Sequence, residues 1–176
     1  MRAIVQRVKK SELYIDNQMF SKIERGFLVL LGVTETDTDE DLKALADKIL
    51  KLRVFEDENG KMNLSLSDIG GELQIVSQFT LYADCHHGNR PSFINAARPD
   101  FANPMYEKFV KYCKETGINV ETGVFGADMK INLINDGPVT IALEAENGKV
   151  KWYKKKKMKI NDLEIMFFLK VKEIFV

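Results

Sequence analysis

Residues 26–33 read GFLVLLGV, and residues 34–55 continue TETDTDEDLKALADKILKLRVF. The first stretch is an almost unbroken apolar run with β-branched residues, the pattern of a central strand buried on both faces. The second changes period. Leu42, Leu45, Ile49 and Leu52 recur at helical spacing, so one face is apolar. Thr38 with Asp41 three residues on resembles a helix start, and Asp39 and Glu40 suit the positive end of the helix dipole. The spacing predicts a helix over 39–52. A buried strand running into an amphipathic helix places the chain in the mixed α/β class.

Working outward, RAIVQRV (2–8) and ELYI (12–15) read as two strands with a polar, turn-like segment between them. Asp16-Asn17 marks a further turn. EDENGK (56–61) is a turn, followed by a loop through DIGG. LQIVSQFTL (73–81) is another strand. ADCHHGNRPSFINAARP (83–99) has no period, and a loop this long in a small domain is more often functional than filler. A second helix is expected over 101–116, with Met105, Phe109, Tyr112 and Cys113 as its inward stripe and Gly117 as its stop. INVETGVFG, DMKINLIND and GPVTIALEA then give two or three strands. The pattern is richer in strand than in helix and lacks the βαβ rhythm of a doubly wound fold.

The 176 residues fit one domain with a small appendage, long enough to bury a core without disulfide or metal staples. Lys plus Arg and Asp plus Glu both number 26. Zero net charge argues against a general binder of nucleic-acid backbone, which is usually basic, but leaves room for an enzyme that touches only an RNA end. Two Cys (Cys85, Cys113) and two His form no zinc signature. The opening MRAIVQRVKK lacks a signal peptide's apolar stretch, and no run is long and apolar enough to span a membrane. A cytoplasmic location is expected from these features.

Composition divides the chain into residues 1–149 and an extension, 150–176. The extension carries eight Lys and three acids, a net of +5, which leaves −5 on the rest. KKKK (154–157) follows Trp152 and Tyr153, and the chain closes on apolar IMFFLKVKEIFV. A solvated charge run is the ordinary reading, and contact with an RNA backbone is the functional one. The apolar end suits a patch on the core or on a dimer face.

The chain has no G-x-S-x-G, no H-E-x-x-H and no Walker loop. His86 and His87 read as surface residues. Three other segments carry possible chemistry. Ser77-Gln78-Phe79-Thr80 places three polar residues at a strand end, where they either cap the sheet edge or point donors into a pocket that could hold a carbonyl or oxyanion. Asn135-Asp136-Gly137-Pro138 is an ordinary turn or a tight, carbonyl-presenting one, with either peptide isomer open. Arg90 is an exposed loop arginine or a fork for carboxylate or phosphate.

MRAIVQRV at the start, GELQIVSQFTLYAD at 71–84, GNRPSF at 88–93 and FGADMKINLINDGPVT at 125–140 together resemble the D-aminoacyl-tRNA deacylase family. The resemblance covers residues 1 to about 145. It implies a strand-rich, β-barrel-like α/β domain with two main helices. It also implies a homodimer with active sites near the interface, no metal and no cofactor. The implied reaction is hydrolysis of D-aminoacyl-tRNA, with the glycyl ester on alanine tRNA as a further substrate. Gly137-Pro138 matches the family's Gly–cis-Pro motif, which enters the partner's site and excludes L side chains. Ser77, Gln78, Phe79 and Thr80 match the catalytic wall. Arg7 matches the residue bracing the turn, while Met129 and Phe125 belong to the pocket segment and Arg90 to GNRPSF. Where the family commonly has TKKG after TLYAD, this chain has CHHG. A Thr hydroxyl is a weak nucleophile without a base, and no triad partner is evident. Attack by water, assisted by the tRNA's own 2′-OH, is the mechanism expected. The rival reading is a non-catalytic RNA- or protein-binding member of the same fold; an unrelated small esterase is disfavoured by the absent triad.

Overall fold

A computed structural model describes residues 1–152. The expectations for the lysine run and the apolar end of the extension lie outside them. Among the described residues, β1 (Arg2–Ile15), β2 (Gln18–Ile23) and β3 (Gly26–Gly32) lead into α1 (Asp39–Leu50). A two-stranded hairpin, β4 (Phe55–Glu56) and β5 (Met62–Leu64), precedes β6 (Glu72–Ser77) and α2 (Pro99–Lys114). β7 (Val120–Thr122), β8 (Met129–Glu146) and β9 (Lys149–Trp152) complete the order. Seven strands form one sheet, ordered β7-β6-β3-β1-β8-β9, with β2 paired to β1.

The predicted central strand is β3, between β1 and β6, with Phe27, Val29 and Leu31 on one face and Leu28 on the other, all buried. The predicted helix is α1. Its Thr38–Asp41 capping box is formed, and Leu42, Leu45, Ala46 and Ile49 are buried. α2 begins two residues earlier than predicted and buries Ala102, Met105, Tyr106, Phe109 and Cys113. Tyr112, expected inward, is only partly buried, and its hydroxyl donates to Asp47 of α1 at 2.8 Å. Both helices pack with the same large core cluster on one face of the sheet.

Several expectations are corrected. The two N-terminal strands are one, β1. Its polar middle is the site of irregular pairing with β8, between Gln6 and Lys10, not a turn. Lys9 faces out, and Ser11 is buried, donating to Gln74 of β6 at 2.6 Å. Of the two or three strands expected from INVETGVFG to GPVTIALEA there are two, β7 and β8, with DMKINLIND and GPVTIALEA both in β8. The loop expected after EDENGK includes β5. Strand β6 stops at Ser77, and residues 79–82 form a short 3-10 helix. A βαβ arrangement does exist: β3 pairs parallel with β6 and β6 with β7, each connection carrying a helix. The long segments flanking those helices obscure the rhythm in the sequence. Residues 150–152, grouped with the extension by composition, pair with β8.

The barrel-like curl has a visible tie. Gln74 donates to Ser21 of β2 at 3.0 Å, and Ser21 donates to the Thr122 carbonyl of β7 at 2.8 Å. A buried polar chain therefore joins β1, β6, β2 and β7 across the sheet's second, smaller apolar cluster, each group satisfied by the next.

Candidate active site

Strand β6 delivers the SQFT segment. The Gln78 amide donates to the Leu31 carbonyl at 2.7 Å, the last tie to β3 before the chain turns into the 3-10 helix. Gly32 permits that turn. A Cβ there would lie 3.1 Å from both the Gln78 carbonyl and Leu81 Cβ, so a larger residue would press the turn outward by a few tenths of an ångström. Tyr82 anchors the far end, buried beneath the Arg2 guanidinium, 4.5 Å from its ring centre. Phe79 and Thr80 open the 3-10 helix, where leading N–H groups have no acceptor within the helix itself.

A cleft of about 670 Å³ opens beside this segment. Ser77, Gln78 and Phe79 line it, together with Phe125 and Met129. Five residues singled out in the sequence are thus brought together. Thr80 is exposed and is not among the lining residues; its hydroxyl accepts from Gln78 Nε2 at 2.5 Å. An amide is no base, so this partner cannot activate the hydroxyl. Arg90 is exposed in the 83–99 loop and does not line the cleft. Burial pushes the Tyr106 phenol up to about 12, and its hydroxyl donates to the Ile75 carbonyl at 2.7 Å. Tyr106 is therefore a wall, not an acid–base group. No group of three His, Cys, Asp or Glu among the described residues could hold a metal ion.

The second constellation lies elsewhere. Gln6 pairs with Thr140 and Val8 with Asn135, so Arg7 alone faces the four residues 136–139. Those residues leave the ladder as an excursion from β8. Arg7 is 3 % exposed beneath it. Its Nε donates to the Asp136 carbonyl at 3.1 Å and its Nη2 to the Gly137 carbonyl at 3.3 Å, while Nε also lies 3.1 Å from the Asp136 carboxylate. Nη1 donates to the Val54 carbonyl. The Gly137–Pro138 peptide is cis, and both residues are exposed. Neither lines the cleft of its own chain.

Sequence reading missed Phe93, Arg98 and Tyr106 as lining residues. Phe93 and Arg98 fall in the aperiodic 83–99 segment, whose length was the available signal. Tyr106 follows Ala102 by four on the buried stripe of α2, a spacing that was there to be read.

The chain matches the family model described as D-Tyr-tRNA(Tyr) deacylase over residues 4–144. It belongs to that family. A relative named D-aminoacyl-tRNA deacylase from Thermosipho africanus is 57% identical over 146 residues, covering 83% of this chain and 98% of the relative. One of the same name from Clostridioides difficile is 59% identical over 145 residues, covering 82% and 97%. Among solved structures, one named c-Myc DNA unwinding element binding protein superposes with a TM-score of 0.77 at 41% identity, covering 83% of this chain and 99% of that one. Another, described as a probable eukaryotic D-amino acid tRNA deacylase, gives 0.70 at 18% identity, covering 80% and 97%, and shows the shared fold.

Proposed function

We propose that this protein hydrolyses the ester of D-aminoacyl-tRNA, releasing the D-amino acid and free tRNA, with the glycyl ester on alanine tRNA as a further substrate. The observation that carries the reading is the cleft. Its reactive end is built from Ser77, Gln78 and Phe79, with donors but, among the described residues, no side-chain base hydrogen-bonded to Thr80. Such a wall suits attack by water. The water oxygen adds to the acyl carbon, the developing oxyanion is held by donors of the 77–80 segment, and the C–O bond to the ribose breaks. The proton lost by water passes to the departing 3′ oxygen with help from the neighbouring 2′-OH. Positioning does the rest.

Chirality is assigned to Gly137-Pro138. The pair is exposed, held out of the sheet on the Arg7 brace and absent from its own cleft, which suits a wall presented to the cleft of a second copy in a cytoplasmic homodimer. Backbone carbonyls there would receive the substrate's amino group, and an L side chain would collide with the turn. Arg90 sits at the margin of this reading, an exposed cation for the RNA. By composition the catalytic unit is residues 1–149, with the extension as an added contact for the tRNA arm. Truncation after residue 152, which spares β9, tests that contact across a salt series; unchanged affinity and slope would remove it.

Hydrolysis of D- and L-tyrosyl-tRNA by the full chain tests the central reading. Fast loss of the D ester alone is expected. Equal rates would defeat the chirality assignment. No hydrolysis of either would favour a non-catalytic nucleic-acid-binding member, a reading to which the DNA-binding name of the 41%-identical protein gives some support.

A further inference from the structure

The residues at the cleft mouth have no role in the reaction just described. The segment carrying them is firmly tied. Asp84 and Ser92 exchange backbone hydrogen bonds at 2.7 and 2.8 Å. The Thr34 hydroxyl donates to the Asn95 carbonyl at 2.7 Å, and the Ala97 amide to the Val33 carbonyl at 2.9 Å. The Arg98 amide donates to the Glu35 carboxylate at 2.8 Å. Yet this fixed segment turns apolar side chains outward. Ile94 is 86 % exposed, and Phe93, a lining residue of the cleft, packs edge-on against the exposed ring of Phe79 with 5.1 Å between centres. Exposed aromatics on a rigid loop beside a cleft are a surface waiting for a flat apolar group.

Charge points the same way. Among the described residues, two charged ones line the cleft, Arg98 and Asp128. Asp128 is paired with Lys130 at 3.3 Å. Glu35 is engaged on the Arg98 backbone, and no ion pair of the Arg98 guanidinium is seen among the described residues. A free guanidinium fork beside an aromatic surface matches the two halves of a nucleotide, phosphate and base.

We propose that Phe93, Ile94 and Arg98 hold the nucleotide that precedes the tRNA's terminal adenosine. Its base lies on the Phe93–Ile94 surface, and the phosphodiester linking it to the terminal nucleoside meets the Arg98 guanidinium. The inference rests on the deacylase reading, because a single-stranded 3′ end that places its terminal ester in the cleft must cross this mouth. The subsite favours esters carried on RNA over esters of a lone nucleoside, and it reads stacking and charge without demanding a particular base.

The test compares D-tyrosyl esters of adenosine, of the dinucleotide CpA and of tRNA. In the wild-type chain, kcat/KM should rise at least about tenfold from adenosine to CpA, chiefly through KM. Arg98→Ala and Ile94→Ser should each reduce that CpA-to-adenosine ratio severalfold, and Arg98→Lys should recover part of it. Arg98→Ala should also flatten the salt dependence of tRNA binding. A wild-type ratio near one, or ratios unchanged in both variants, would overturn the subsite while leaving the deacylase reading standing. A wild-type chain inert on all three esters would overturn the deacylase reading itself. If Ile94→Ser shifts the sedimentation of the protein to a smaller species, the surface belongs to a second copy of the chain and the proposal fails.

Discussion

The turn at 136–138 and the segment at 77–80 are both polar, both at breaks in a strand, and built in opposite ways. The turn sits over a buried guanidinium that grips two of its carbonyls, a carboxylate on the same turn and the Val54 carbonyl. Among the described residues, the SQFT segment has one side-chain hydrogen bond of its own, from Gln78 to Thr80, while Ser77, Gln78 and Phe79 face an open cleft. The difference matches the two tasks proposed for them. A wall that rejects a stereoisomer must not yield, because discrimination comes from a collision. A wall that stabilises developing charge must keep donors unengaged until substrate supplies the acceptor.

Removing the grip tests the contrast most severely. Arg7→Ala strips a buried cation from its partners and leaves Asp136 without its ion pair, so stability should fall by about 3 kcal/mol. Urea denaturation measures that loss, and D-tyrosyl-tRNA hydrolysis should fall with it. A stable, active variant would break the idea of a braced turn. Gly137→Ala is gentler on the fold. The added Cβ would meet only Asn135 Nδ2, at 3.7 Å, an ordinary contact. Stability should stay within about 0.5 kcal/mol, while hydrolysis of the D ester falls about a hundredfold because the new methyl protrudes from the discriminating surface. Thr80→Ala should cost less than about tenfold in kcat, since losing a true nucleophile in a triad hydrolase costs on the order of a millionfold. A collapse of that size would return Thr80 to the centre of the mechanism.

The smallest effect concerns the scaffold beneath both regions. Lys51 and the Tyr112 hydroxyl hold the Asp47 carboxyl below its usual value. A depressed folded pKa contributes stability that is complete above the unfolded carboxylate value of about 3.9 and is lost as pH falls through the lower folded one. Asp47→Asn should therefore make the acid limb of a stability-versus-pH curve shallower, with the urea midpoint as readout.

The sequence made the scaffold readable where periodicity was local. The apolar run at 26–33 and the capping box at Thr38 and Asp41 each state their structure within a few residues, and both are realised. It misled where one strand serves several partners. β1 pairs with β3 along its first half, β2 along its second and β8 throughout, so its polar middle resembled a turn. The candidate site shows the same division. Ser77, Gln78, Phe79, Phe125 and Met129 converge on one cleft although they come from distant stretches. Arg98 carried no local signal, because its exposure at the cleft mouth depends on the Glu35 contact and the ties of the preceding loop. The family resemblance named Arg7 as a brace; its four contacts follow from a mismatch in pairing that no single stretch displays.

That mismatch also sets a rule for change along the chain. Loops ordinarily tolerate insertion and deletion, but the excursion at 136–139 interrupts a strand that resumes pairing with β1 at Thr140. Beyond it, Leu143 and Ala145 face the core while Ala142 and Glu146 face out. Losing a single residue would exchange those faces by parity, sending the core residues to water. The excursion is thus quantised in length, and the spacing between Arg7 and Leu143 matters to the proposed site as much as the residues that would touch substrate.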